Sequence, residues 1–92
     1  MTKRIECRVR GRVQLVMYRD FTARNARALH LTGTVKNLED GSVSVVAEGE
    51  ENALTALVQK LKRGPILAHV EHVEVAWKDA TGEFSDFRIV YR

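Results

Sequence analysis

The chain has 92 residues, of which 45% are hydrophobic and 29% are charged, a composition typical of an ordinary globular protein. A chain of this length is expected to form one domain over residues 1–92. No window approaches the roughly 18 continuous apolar residues of a membrane span, and the basic N-terminus lacks the apolar segment of a secretory signal. We therefore expect a cytoplasmic protein with no membrane association.

The charge balance is basic, with a formal net charge of +3 and a pI of about 9.4. Such a balance suits an anionic ligand, whether a phosphate, an acidic metabolite or a nucleic acid, and does not choose among them. Cys7 is the single cysteine, which excludes an internal disulfide. We interpret it as a small buried apolar residue rather than a nucleophile.

The N-terminal part of the chain predicts a strand followed by a helix. Residues 4–10 alternate between apolar and charged side chains, as in a half-buried strand. Residues 20–31 are predicted to be helical. One helical stripe is formed by Tyr18, Thr22, Ala26 and Leu29. Because two of its members are small, the helix should pack close to the element that it covers.

A hairpin and a second helix follow. Residues 32–36 and 42–48 are rich in β-forming residues, and the Asp40-Gly41 pair between them permits the positive φ of a tight turn. Residues 51–63 carry apolar side chains at the i, i+3, i+4 and i+7 spacing of an amphipathic helix. Acidic residues open this segment, basic residues close it, and Gly64-Pro65 ends it.

Two further alternating segments complete the pattern. Val73, Val75 and Trp77 predict a fourth strand, and a TGEFSD loop separates it from a fifth. The fifth strand alternates Phe87, Ile89 and Tyr91, which we expect in the core. The order β-α-β-β-α-β predicts an α+β fold, the ferredoxin-like split βαβ sandwich, with an antiparallel sheet and two helices packed on one face.

The segment GRVQLVMYR, residues 11–19, does not continue the strand pattern. Its alternation fails, and it lies between a strand end and a helix start, where unpartnered backbone N–H groups favour anion binding. Arg19 lies at the junction, and a guanidinium matches a phosphoryl group as a planar fork. By itself, Arg19 could equally be a surface arginine.

A second polar residue supports a site. In a strand with a period of two, Asn37 follows Gly33 and Val35 on one side, so that an amide continues an apolar row. The alternative is that Asn37 merely begins the turn, a role that asparagine performs well.

Taken together, these segments resemble one known family. The string GRVQ with VMYR, then GTVKNLEDG, and TGEFSDF near the C-terminus are similar to acylphosphatase, and the resemblance extends from Arg8 to Tyr91. It implies an enzyme that hydrolyses the carboxyl-phosphate bond of small acyl phosphates, without a metal or other cofactor. The implied partners are the acyl phosphate and a phosphate or sulfate ion, and the implied state is a monomer.

The resemblance also assigns roles to residues. Arg19 matches the arginine that binds the phosphoryl group, and Asn37 matches the asparagine that holds the attacking water. The phosphate cradle corresponds to the backbone N–H groups of Leu15, Val16, Met17, Tyr18 and Arg19. No histidine is needed as a base. His69 and His72, three apart in a predicted strand, should face opposite sides, which argues against a paired metal site.

Three positions depart from the family pattern. The family usually has glycine at position 15, often a small residue near position 17, and a large aromatic at position 34, where this chain has Leu15, Met17 and Thr34. If φ at Leu15 is positive, a leucine there costs about 1–2 kcal/mol. Alternatively, φ is ordinary and glycine serves only to admit a close ligand. We expect reduced but retained activity, since Arg19 and Asn37 are present.

Two other classes of function remain as alternatives. The first is a non-catalytic anion-binding or regulatory module that has the same fold and has lost activity through Leu15 and Met17. The second is RNA binding, which requires exposed aromatic residues on the central strands. Residues 5–9 and 42–47 carry none, and we therefore predict no nucleic-acid partner.

Overall fold

Five strands and two helices follow one another along residues 1–91, the part of the chain that the computed structural model describes. In chain order they are β1 (Thr2–Arg12), α1 (Tyr18–Ala28), β2 (Thr32–Asn37), β3 (Val43–Glu50), α2 (Glu51–Arg63), β4 (His69–Asp79) and β5 (Phe87–Val90). The strands form one sheet in the order β4-β1-β3-β2-β5. Both helices pack on one face of it, which confirms the predicted ferredoxin-like α+β fold.

The sheet is mixed, whereas the sequence predicted an antiparallel one. β5 pairs in parallel with β2, and the other strand pairs are antiparallel. The reason is that β4 and β5 lie at opposite edges, about 19 Å apart at the usual strand spacing. Residues 80–86 span that distance, and at about 3.3 Å each they reach about 23 Å. The connection therefore crosses the sheet nearly straight, on the face that the helices leave open.

Glu48 in β3 holds this crossing connection. Its carboxylate accepts hydrogen bonds from the backbone N–H of Thr81 at 2.9 Å, the N–H of Gly82 at 3.0 Å and the guanidinium of Arg4 at 2.9 Å. The Glu48 side chain is only 4% exposed. Burial raises the pKa of Glu48, but these donors outweigh burial and lower the pKa to about 2. Glu48 is thus a buried, fully bonded carboxylate.

The core lies between the helices and the sheet. Helix α2 has the bounds predicted from its periodicity, and its buried residues are the predicted ones: Leu54, Leu57, Val58 and Leu61. In β1, Ile5, Cys7 and Val9 face the same core. Cys7 is 5% exposed, and burial raises the pKa of its thiol to about 12. The prediction of an unreactive apolar cysteine agrees with this environment.

Helix α1 begins two residues earlier and ends three residues earlier than predicted. Its end is a Schellman motif, in which the N–H of Leu31 bonds to the carbonyl of Ala26 at 2.9 Å and the N–H of His30 bonds to that of Arg27 at 3.0 Å. His30 occupies the left-handed position with φ of 60°. Because glycine is the usual residue there, a histidine gave no signal that the helix stops.

The predicted hairpin joins β2 and β3. β2 extends to Asn37, one residue further than predicted, and β3 runs from Val43 to Glu50. Asp40 organises the turn, since its carboxylate accepts hydrogen bonds from the N–H and hydroxyl of Ser42. Gly41 follows with φ of 91°. The turn chemistry therefore comes from Asp40 and Gly41, and Asn37 is not required for it.

His69 and His72 lie on the same face of β4, contrary to prediction. Val70 pairs with Gly11 and His72 pairs with Arg10, so that the register shifts at Glu71. Val70 and Val73 consequently both pack against the core although they are three apart. Gly11 accommodates this bulge with φ of 129°, and a Cβ there would overlap the His69 carbonyl.

The role of Glu48 predicts a large effect on stability. In Glu48→Gln the Arg4 guanidinium loses its buried counter-charge and the crossing connection loses charge-assisted bonds. We expect the free energy of unfolding to fall by about 2–4 kcal/mol, and the Tm to fall by about 8 °C or more. Thermal unfolding followed by circular dichroism measures this. Glu83→Gln is the matched control, because Glu83 is an exposed partner of the same Arg4; an equal loss in both variants would contradict the account.

The lowered pKa of Glu48 also predicts acid sensitivity. Its ordinary value is 4.5 and its folded value is about 2, so the stabilisation is complete above pH 4.5 and is lost as the pH falls towards 2. In urea titrations, the stability difference between wild type and Glu48→Gln should shrink across this interval. A difference that stays constant with pH would show that the ionised carboxylate is not what stabilises the connection.

Candidate active site

Residues 13–17 form a loop between β1 and α1 that contains two left-handed residues. Leu15 has φ of 63° and Met17 has φ of 65°, so of the two alternatives left open for position 15 the structure has the positive φ. Val16 between them packs against the core. Leu15 and Met17 consequently face solvent, with 99% and 67% of their side chains exposed.

Gln14 fixes this loop to the neighbouring hairpin. Its side-chain amide donates hydrogen bonds to the carbonyls of Leu38 and Ser42, both at 2.8 Å. These two carbonyls lie at either side of the β2–β3 turn, which carries Asn37 at its start. The role of Gln14 was not predicted from the sequence, although a polar residue between the apolar Val13 and Leu15 was a signal. Gln14 thus sets the position of the loop relative to Asn37.

Tyr18 fixes the loop at its other end. Its side chain is buried, and its hydroxyl donates a 2.6 Å hydrogen bond to the carbonyl of Leu61 in the last turn of α2. Burial raises the pKa of this phenol well above its ordinary value. Since the Tyr18 side chain faces the core, only its backbone is available to the site.

The start of α1 presents backbone donors. Its first hydrogen bond runs from the N–H of Phe21 to the carbonyl of Met17 at 3.0 Å. Within residues 1–91, the N–H groups from Leu15 to Asp20 donate to no backbone or side-chain acceptor. A helix N-terminus with unpartnered donors and its positive dipole end is a general anion-binding element.

Arg19 lies in this first helical turn and carries the positive charge of the site. Its guanidinium carbon lies 4.9 Å from the centre of the Tyr91 ring, a cation–π contact. No carboxylate in the described part of the chain forms an ion pair with it. The adjacent Asp20 is instead paired with Arg24 at 3.1 Å, so the charge of Arg19 remains available to an anion.

Asn37, the last residue of β2, faces the same site. Its side-chain oxygen is buried and, among residues 1–91, has no hydrogen-bond partner. A buried polar atom without a partner is unfavourable, and such groups concentrate where a ligand or water binds. The interpretation that Asn37 serves only the turn is not supported, because Asp40 supplies the turn's side-chain bonds.

These residues line one open pocket of about 390 Å³, bounded by Val13, Leu15, Met17, Tyr18, Arg19, Asp20, Asn37, Ile89 and Tyr91. Of the predicted site residues, all but Val16 line this pocket, and Val16 packs against the core. Tyr91 was expected in the core but is 74% exposed. The reason is that β5 ends at Val90, and Tyr91 extends past the sheet to cover Arg19.

Residues 1–91 contain neither a cluster of metal ligands nor a membrane-spanning helix. No group of three or more His, Cys, Asp or Glu side chains is placed to hold a metal ion. No helix is both long enough and apolar enough to cross a membrane.

Fold and pocket together define a small split βαβ fold with a loop of unpartnered backbone donors, within residues 1–91, at a helix start. The family model described as Acylphosphatase matches residues 5–89. The chain is 48% identical over 87 residues to an acylphosphatase of Salinibacter ruber, covering 95% of this chain and 92% of that protein. An acylphosphatase of Methylococcus capsulatus is 47% identical, with 96% of each chain covered.

A solved structure agrees with these sequences. The crystal structure of acylphosphatase from Bacillus subtilis superposes with a TM-score of 0.93 at 37% identity, covering 99% of this chain and 100% of that one. The chain belongs to the acylphosphatase family. Hydrolysis of acyl phosphates is therefore the activity that its family and its structural neighbours support.

The left-handed conformation of Leu15 predicts that the protein is more stable with glycine at this position. The conformation costs a leucine about 1–2 kcal/mol, and the greater unfolded-state freedom of glycine offsets about 0.5–1 kcal/mol of the gain. Because the side chain is 99% exposed, no packing is lost. Leu15→Gly should raise the free energy of unfolding by about 0.5–1 kcal/mol in urea titrations. Leu15→Ala retains a Cβ and is the control; an equal gain in both would show that backbone strain is not the cause.

Proposed function

We propose that this protein hydrolyses acyl phosphates with Arg19 binding the phosphoryl group and Asn37 orienting the attacking water. One observation carries the proposal: Arg19, Asn37 and the N–H groups at the start of α1 border the same pocket. A cation, a row of donors and a polar amide are the groups that phosphoryl transfer to water requires.

Binding of the substrate follows from charge and shape. The phosphoryl oxygens would accept hydrogen bonds from the backbone N–H groups of residues 15–19 and from the guanidinium of Arg19. A guanidinium donates two parallel bonds to a phosphoryl group, and backbone donors held by folding need no reorganisation when charge moves to the oxygens. Arg19 would leave the face of Tyr91, or keep one edge there, as the anion enters.

Asn37 would hold water on the side of phosphorus opposite the leaving carboxylate. Its buried side-chain oxygen has no partner among residues 1–91 and is suited to accept a hydrogen bond from that water. Because the water is already bound in position, the entropy of bringing it to the phosphorus is lost on binding and not in the reaction step. In the reaction, the new P–O bond forms with the water oxygen while the P–O bond to the acyl group breaks.

Proton transfer requires no protein base in this scheme. The leaving group is a carboxylate, which departs without a strong acid. The proton of the attacking water passes to a non-bridging oxygen of the phosphoryl group itself, so that inorganic phosphate and a carboxylate result. Catalysis is then mainly positioning and charge stabilisation, as is usual for phosphoryl transfer. No metal is invoked in this scheme.

A non-catalytic anion-binding module is the second candidate. The observation that favours it is the pair of left-handed non-glycine residues, Leu15 and Met17, since strain in the loop that should hold the phosphoryl group could reduce turnover. In that case phosphate would bind in the same pocket without hydrolysis of acyl phosphates. We favour the enzyme because Arg19 and Asn37 both line the pocket.

The remaining features of the function are also proposals. Inorganic phosphate or sulfate should compete with the substrate, since each presents oxygens like those of the phosphoryl group. A monomeric state, a cytoplasmic location, independence from metals and the lack of a nucleic-acid partner stay predictions. Activity in EDTA tests the independence from metals. The mass of the protein in solution tests the monomeric state.

The test is hydrolysis of benzoyl phosphate in EDTA. We expect turnover by the wild type, a loss of about 1,000-fold or more in kcat/KM for Arg19→Gln, and a loss of about 100-fold or more for Asn37→Ala, mainly in kcat because Asn37 contacts water. Arg63→Gln, at the exposed end of α2, is the matched control and should retain activity. Phosphate binding without turnover in the folded wild type would instead establish the second candidate.

A further inference from the structure

The mouth of the pocket is surrounded by apolar side chains. Leu15 is 99% exposed, Tyr91 is 74% exposed and Met17 is 67% exposed, and Ile89 lies partly buried beside them. All four line the pocket that contains Arg19 and Asn37. We name these four residues the apolar collar. Single apolar residues on a surface are ordinary, but several around one pocket indicate a binding surface.

The backbone explains why the collar is exposed. Val16 packs inward against the core, and the left-handed conformations of Leu15 and Met17 turn both flanking side chains outward. These two conformations are unfavourable for residues other than glycine, and exposure of the two side chains to water gains no burial in return. Packing among residues 1–91 therefore does not explain why positions 15 and 17 carry large apolar side chains.

We infer that the apolar collar binds the acyl group of the substrate and selects acyl phosphates with apolar acyl chains; this rests on the proposed function. The acyl carbon is one bridging oxygen away from the phosphorus. If Arg19 and the backbone donors hold the phosphoryl group, the acyl chain must leave the pocket across its mouth. The collar carries no charged side chain, so it gains from burial of an apolar acyl chain and offers no partner to an acyl chain that bears a carboxylate.

The expected signature is a dependence on chain length. Burial of one methylene from water is worth about fourfold in binding, and a collar that covers one side of the chain should give about twofold. We expect kcat/KM to rise about twofold per methylene from acetyl to butyryl to hexanoyl phosphate. Each value is divided by the rate of uncatalysed hydrolysis of the same compound, which removes differences in reactivity.

Variants of the collar distinguish the effect of its side chains on substrate preference from the effect of its backbone conformation. Leu15→Ala and Met17→Ala retain a Cβ, and hence the same left-handed constraint, while they remove the apolar atoms. Only the slope of kcat/KM against chain length is compared, so a change in the overall rate does not affect the conclusion. Each variant should reduce the slope from about twofold to about 1.4-fold or less per methylene. This corresponds to the loss of about half of the free energy that the wild-type collar gains per methylene. Ile66→Ala is the control, because Ile66 is 98% exposed in another loop, and its slope should stay at the wild-type value.

The possible results are distinct. A rising slope in the wild type that falls in the two collar variants and stays in the control supports the inference. Equal rates along the series, or a slope that the collar variants retain, would overturn it while hydrolysis of acetyl phosphate still supported the proposed function. No hydrolysis of any compound by the folded wild type would overturn the proposed function, and the inference with it.

Discussion

The turn between β1 and α1 is the constraint on which the site depends. Leu15 and Met17 adopt left-handed conformations there. The chain then enters α1 with Arg19 in the first turn and with first N–H groups that have no acceptor within residues 1–91. The unfavourable backbone conformation is offset by two sets of hydrogen bonds at the ends of the loop. Gln14 bonds to the β2–β3 hairpin, and the buried Tyr18 bonds to α2. The loop is thus held rigidly in a shape that isolated residues of these types avoid.

The sheet brings the remaining parts of the site to this turn. β2 ends at Asn37, beside the carbonyls that Gln14 binds. β5 pairs with β2 in parallel and carries Tyr91 to the face of Arg19. That pairing is possible because the β4–β5 connection crosses the open face of the sheet, where Glu48 holds it. A carboxylate remote from the pocket therefore contributes to the position of the pocket's outer wall.

Much of this structure follows from local patterns in the sequence. The apolar spacing of α2, its charged ends and Gly64 fix its bounds. The loop pattern and the β2 alternation drew attention to Arg19 and Asn37, and the resemblance to acylphosphatase combined them into one predicted site. The errors arise where local signals are weak or long-range contacts decide. His30 ends α1 in place of glycine, a bulge at Glu71 changes the facing of His69, and the contacts of Tyr91 and Glu48 join segments that are distant in sequence.

The most direct test of this account is a phosphate titration followed by heteronuclear NMR of the backbone amides. We predict saturable shifts of the N–H signals of residues 15–20 and of the side-chain amide of Asn37, and their loss in Arg19→Gln. Shifts confined to another basic surface, such as the Lys60–Arg63 end of α2, or no saturable shifts at all, would contradict the claim that the left-handed loop and Arg19 form the phosphoryl-binding site.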